Sequence, residues 1–114
     1  MKITSVKTAA TSGHGMHLWV RIETDLGITG LGECVHGGHG AIAIIQQLAS
    51  MLEGRDPFAI DALFEEIRRK RVFDGTQGGT FIVALSGIEL ARWDLKGKAL
   101  KTPIYELLGG KFRD

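Results

Sequence analysis

Ser86-Gly-Ile-Glu-Leu-Ala-Arg-Trp-Asp-Leu-Lys-Gly-Lys-Ala-Leu-Lys-Thr-Pro-Ile-Tyr-Glu-Leu-Leu-Gly-Gly110 is the stretch that decides the fold. Its first part continues a helical run that starts near Thr80 and reaches Leu100. Phe81, Ile82, Val83, Leu85, Ile88, Leu90, Trp93 and Leu95 distribute apolar surface nearly all the way round that helix. Such a pattern belongs to a helix held between two layers. Thr102-Pro103 then restarts the chain into a short helix over about 103–108, closed by Gly109-Gly110. The remaining residues supply little cover for a helix apolar on so many sides, and the sequence stops at Asp114. The chain therefore reads as a single lobe, spanning 1–114, of a larger protein.

Working outward, three strands precede the helices. Residues 2–11 alternate imperfectly, with Ile3, Val6 and Ala9 or Ala10 as the apolar positions. Residues 17–25 alternate cleanly, Leu18, Val20 and Ile22 against Trp19, Arg21 and Glu23. Gly27 allows a tight turn into a third strand over 28–34, where Gly30 and Gly32 imply close backbone approach or a bulge. Short connections favour an antiparallel meander. A first helix over about 40–52 carries Ile42, Ile45, Leu48, Ala49 and Leu52 on one stripe, with Gly54 as its stop. Asp56-Pro57 reads as an N-cap followed by a first-turn proline, opening a second helix over 57–72 that buries Ile60, Leu63, Phe64 and Ile67. Residues 74–79 form a loop before the third helix at 80–100. The expected class is α+β: a three-stranded antiparallel meander followed by a helical bundle.

Composition narrows the function classes. With 44% apolar residues a core can form, and the formal net charge is only +1. The one basic run, Arg68-Arg-Lys-Arg71, follows Glu65 and Glu66 and reads as a solvated helix end, where cations suit the dipole. No basic stripe with stacking aromatics accompanies it, which argues against nucleic acid. The single cysteine, Cys34, rules out an intrachain disulfide framework and fits a reducing, cytoplasmic compartment. No leader pattern or long apolar run marks a membrane segment.

All four histidines lie between residues 14 and 39. In a three-stranded meander the first and third strands run the same way. The segments 12–17 and 34–40 therefore converge on one sheet edge and form a polar, glycine-rich rim. Three readings of the rim stay open. Cys34-x-His36-x-x-His39 offers thiolate and imidazole to a transition metal, though this spacing matches no common zinc pattern. The histidines can instead be plain loop residues beside a packed cysteine. Or the two loops form a cap with glycine hinges over a pocket supplied by another domain. Elsewhere the residues read as structural. Gly30-x-Gly32 precedes no helix, which argues against a dinucleotide site. Glu33 reads as a satisfied carboxylate, Asp94 and Lys96 as reaching neighbouring layers, and Trp93 and Tyr105 as packing residues. No complete catalytic constellation is present, and no catalytic or metal-binding residue is assigned.

Five segments together carry a family resemblance. They are Lys2-Ile-Thr-Ser-Val-Lys7; Val20-Arg-Ile-Glu-Thr-Asp-Leu-Gly-Ile-Thr-Gly-Leu-Gly-Glu-Cys34; Leu52-Glu-Gly-Arg-Asp-Pro57; Ser86-Gly-Ile-x-x-Ala-x-Trp-Asp-Leu-Lys-Gly-Lys-Ala-Leu100; and Pro103-Ile-Tyr-Glu-Leu-Leu-Gly-Gly-Lys111. In this order they resemble the N-terminal capping domain of the mandelate racemase/muconate lactonizing enzymes of the enolase superfamily, closest in appearance to acid-sugar dehydratases. The resemblance implies a following (β/α) barrel that holds Mg²⁺ and the acid–base residues, and a reaction begun by removal of the proton α to a carboxylate. It assigns to this chain the substrate-selecting lid, with His14, Met16, His36 and His39 as substrate contacts and 74–79 as a further approach. The implied partners are the barrel, a small carboxylate such as a sugar acid and, at full length, further copies of the chain; no turnover is expected of this lobe alone. Racemase, epimerase or cycloisomerase activity remains open, as do a stand-alone histidine-based metal- or anion-binding module and a structural fragment that associates through its third helix.

Overall fold

The computed structural model describes residues 1–13, 15–35 and 38–114. Three strands, β1 (Ile3–Thr11), β2 (His17–Thr24) and β3 (Thr29–Cys34), form one antiparallel sheet in the order β1-β2-β3. Helices α1 (Gly38–Leu52), α2 (Ile60–Lys70), α3 (Gly79–Leu100) and α4 (Ile104–Leu107) follow, with a 3-10 turn at Val72–Asp74 between α2 and α3.

The alternation of β2 sorts its side chains as the pattern requires. Leu18, Val20 and Ile22 are fully buried beneath the sheet, while Trp19, Arg21 and Glu23 take the opposite face. Ile3 is buried and Val6 packs on the core although they are three positions apart. A register shift between Ile3 and Ser5 makes this possible, since regular pleating would send the two to opposite faces. Ala9 and Ala10 are both exposed, so neither continues the apolar face of β1. Gly27 closes the β2–β3 hairpin at φ +74°, and its N–H donates to the Thr24 carbonyl (3.1 Å).

The helices cover one face of the sheet. α3 lies along β3 and β2, α1 lies against β1 and α3, and α2 packs on α3 and α1. The core joins Leu18, Val20 and Ile22 to Ile45, Leu48 and Leu52 of α1, Leu63 and Ile67 of α2, and Leu85, Ile88 and Leu95 of α3.

One expectation about the helices is corrected. Asp56-Pro57 does not open α2, which begins at Ile60. The Asp56 carboxylate instead accepts the N–H of Phe58 (2.9 Å), and its carbonyl accepts that of Ala59 (3.3 Å), so the segment is a separate turn ahead of the helix. The third helix is left partly uncovered, as its all-round apolar pattern and the few residues available to cover it implied. Ala84, Leu85, Ile88, Ala91 and Leu95 are buried, but Leu90 is 52% exposed and Ile82 and Val83 are half-buried.

Burial also reaches a residue that the sequence did not single out. Arg92 is 2% exposed; its Nε donates to the Pro57 carbonyl and its Nη1 to that of Ile60, both at 3.2 Å. Arg92 of α3 thus ties down both the turn ahead of α2, at Pro57, and the first residue of α2, Ile60. Burial lowers the Arg92 pKa to about 10, against the opposing pull of Glu89, Asp56 and Asp61.

Candidate functional site

The β1–β2 and β2–β3 pairings place Thr11 opposite His17 and Leu18 opposite Cys34. The ends of β1 and β3 and the start of β2 therefore share one sheet edge, from which α1 departs at Gly38. At this rim Ala10, Thr11, Ser12, Met16 and His39 line a cleft of about 320 Å³. His39 lies in the first turn of α1, and Met16 immediately precedes β2. His14 and His36, the other two residues expected to contact substrate, lie outside the described residues.

The cleft walls are chemically mixed. Thr11 and Ser12 bring hydroxyls, His39 an imidazole, and Met16 and Ala10 apolar surface. Such walls can hydrogen-bond a polyhydroxylated ligand while packing on its carbon chain. Thr11 and Ala10 were not singled out from the sequence as contacts, and Ser12 only as part of the rim segment 12–17. The signal was available in the meander topology, which carries the end of β1 to the same edge as the histidine-bearing segments.

Other chemistry-bearing residues are tied into the fold. Glu33 accepts the ring N–H of His17 (Nδ1 to Oε1, 3.1 Å), and His17 stacks over Trp19 with ring centroids 6.2 Å apart. Cys34 is buried against Gly87, and burial pushes its thiol pKa up. Asp94 does reach a neighbouring layer, accepting the Leu31 N–H at 2.8 Å. The Lys96 ammonium lies 5.0 Å from the Trp93 ring centroid and 5.8 Å from that of Phe58. Arg68 pairs with Glu65, Lys70 with Glu66 and Arg71 with Asp74, so the basic run is a paired surface. Among the described residues no group of three or more His, Cys, Asp or Glu side chains converges as a cation site, and no helix is long and apolar enough to cross a membrane.

Two further surface features flank the rim. One is a depression of about 270 Å³ on the open side of α3, lined by Glu33, Val35, Ile82, Val83, Ser86 and Leu90. The other is a shallow cleft on the helix-free face of the sheet, between Trp19, Leu31 and Ala9 and the stems of Lys7 and Arg21.

A small antiparallel sheet backed by helices, with a polar rim and one uncovered helix flank, defines an α+β domain. The sequence matches the model of the mandelate racemase/muconate lactonizing enzyme N-terminal domain over residues 1–109. The chain belongs to that family. It is 42% identical over 113 residues to a D-xylonate dehydratase of Haloferax volcanii, covering 99% of this chain and 27% of that protein. It is also 42% identical over 116 residues to a D-galactonate dehydratase of Verminephrobacter eiseniae, covering 100% of this chain and 29% of the relative. The fold superposes with a TM-score of 0.89, at 32% identity, on a mandelate racemase/muconate lactonizing protein from Paracoccus denitrificans complexed with magnesium. That match covers 98% of this chain and 31% of the other. The chain thus spans under a third of the length of each of these proteins.

Proposed function

We propose that this domain is the substrate-selecting cap of a Mg²⁺-dependent enzyme that removes the proton α to a carboxylate, and that the enzyme is an acid-sugar dehydratase. One observation carries the reading: two sugar-acid dehydratases align with 99% and 100% of this chain at 42% identity. The mixed walls of the cleft suit such a ligand. Ser12, Thr11 and His39 offer hydrogen-bonding groups to hydroxyls, and Met16 packs on carbon; His14 and His36 complete the proposed set of contacts.

The described side chains do not fit a divalent cation, because no three candidate ligands meet. The Mg²⁺ and the acid–base residues are therefore assigned to the (β/α) barrel that the family pairs with this domain. Val35, Ile82, Val83 and Leu90 are the apolar flank on which that companion would dock, beside the rim. The cap's own work is to bind and orient the hydroxyl-bearing chain and to exclude water above the reacting carbons. Residues 1–114 alone are expected to show no turnover, and the complete enzyme is expected to be cytoplasmic and oligomeric.

The test uses the protein encoded by the complete reading frame, supplied with Mg²⁺ and a panel of aldonic acids. Dehydration removes the α-proton and the neighbouring hydroxyl as water, and the resulting enol becomes a 2-keto-3-deoxy acid that is measured directly. Product from at least one sugar acid supports the reading. Racemisation, epimerisation or cycloisomerisation of carboxylates without loss of water would reassign the enzyme within its superfamily.

A further inference from the structure

β3 is the last strand of the sheet, so every second backbone group along it faces away from β2 with no strand to meet it. Two of these groups are satisfied from α3. The Leu31 N–H donates to Asp94 Oδ2 at 2.8 Å, and the Thr29 carbonyl accepts from Lys98 Nζ at 3.2 Å. Lys98 also donates to the same Asp94 oxygen at 2.5 Å. One turn of helix thus presents an acceptor and a donor to the strand edge, as a neighbouring strand would.

The rest of the α3–β3 seam is made of small residues. A Cβ at Gly30 would lie 1.9 Å from the Ala91 carbonyl oxygen, and one at Gly32 would lie 2.1 Å from that of Gly87. Backbones this close pack well, but a seam of Gly30, Gly32, Gly87 and Ala91 has few knobs to seat in holes. Packing there resists separation of helix and strand more than it resists their sliding. A directional hydrogen bond at a single position supplies what the smooth seam lacks.

We propose that Asp94, braced by Lys98, is the positioning residue that fixes the register of α3 along β3. Through that register it sets the end of β3, where Cys34 sits over Gly87 and the chain leaves for the rim and α1. This role is independent of which ligand the rim takes, so its failure and that of the sugar-acid reading are distinguishable.

The test is made on the complete protein, with hydrogen exchange of peptide 28–34 and alkylation of Cys34, both resolved by mass spectrometry. Asp94→Ala is expected to speed both by about tenfold, the loss of one charge-assisted hydrogen bond. Peptide 45–52 of α1 should keep its protection. Asp94→Asn, whose amide oxygen can still accept the Leu31 N–H, should stay within about threefold of the parent. Unchanged exchange and alkylation in the alanine variant would overturn the assignment. So would equal loosening of peptide 45–52, or an asparagine variant as open as the alanine one.

Discussion

The backbones of Gly32 and Gly87 touch: a Cβ added to Gly32 would sit 2.1 Å from the Gly87 carbonyl oxygen, and one added to Gly87 would sit 2.2 Å from Cys34 Sγ. This contact between β3 and α3 places the longest helix directly under the strand that leads to the rim. It also makes the seam intolerant of a single methyl group.

Gly87→Ala is therefore expected to destabilise the fold by about 1–3 kcal/mol, the usual cost of overpacking. Adding Cys34→Ala removes the sulfur that the new methyl meets. Val20 Cγ2 remains 3.1 Å from the added atom, so the relief should be partial. Urea denaturation of the two single variants and the double variant measures the coupling, and strict additivity would contradict the contact.

Arg92 offers a second test. Its side chain is buried, two of its nitrogens serve the Pro57 and Ile60 carbonyls, and Nη2 has no hydrogen-bond partner among the described residues. Arg92→Ala should cost about 3 kcal/mol, because the Pro57 carbonyl loses its donor, the Ile60 carbonyl loses a charged one, and a cavity opens in the core. Arg92→Met fills much of the volume without restoring the hydrogen bonds, and should recover only part of that loss in thermal melts.

Lys101 is the one non-glycine residue among those described with positive φ, at φ 53° and ψ 37°, where it caps α3. Glycine suits this left-handed position better. Lys101→Gly is expected to stabilise the domain by about 0.5–1 kcal/mol, read as an upward shift in the urea midpoint.

The acid limb of stability should report Glu66. Hydrogen bonds from Arg55 first, then Lys70, lower its pKa from 4.5 to about 2. The folded value lies below the unfolded one, so the paired carboxylate stabilises the fold at pH above about 4.5. That contribution fades as pH falls toward 2. Because the group is at the surface, Glu66→Gln should flatten the fall in melting temperature between pH 5 and 2 only slightly, and high salt should shrink the difference further.

At the rim, His39→Ala in the complete enzyme should raise KM for its sugar acid by about tenfold, with little change in melting temperature. The side chain is exposed, and its proposed contact is with ligand rather than with core. A lower kcat at unchanged KM would argue against a binding role for this residue.

Much of the fold could be read from local pattern. The period-two run at 17–25, the turn at Gly27 and the apolar stripes of α1 and α2 follow from what each short segment can bury. Asp56-Pro57 misled because an aspartate before a proline suits an isolated turn as well as a helix start. Only the packing of Arg92 on that turn displays the choice that was made.

The sequence by itself determined the elements, their order and, through five collinear segments, the family. Gly30 and Gly32 were marked locally for close backbone approach, but tertiary structure alone decided that α3 is what approaches them, which charged residue was buried and which polar groups closed an open edge. Asp94 and Leu31 are 63 residues apart, and nothing local to either names the other. Their hydrogen bond exists because glycines let two backbones approach, and such an approach between distant segments is a property of the packed chain that no single window of sequence carries.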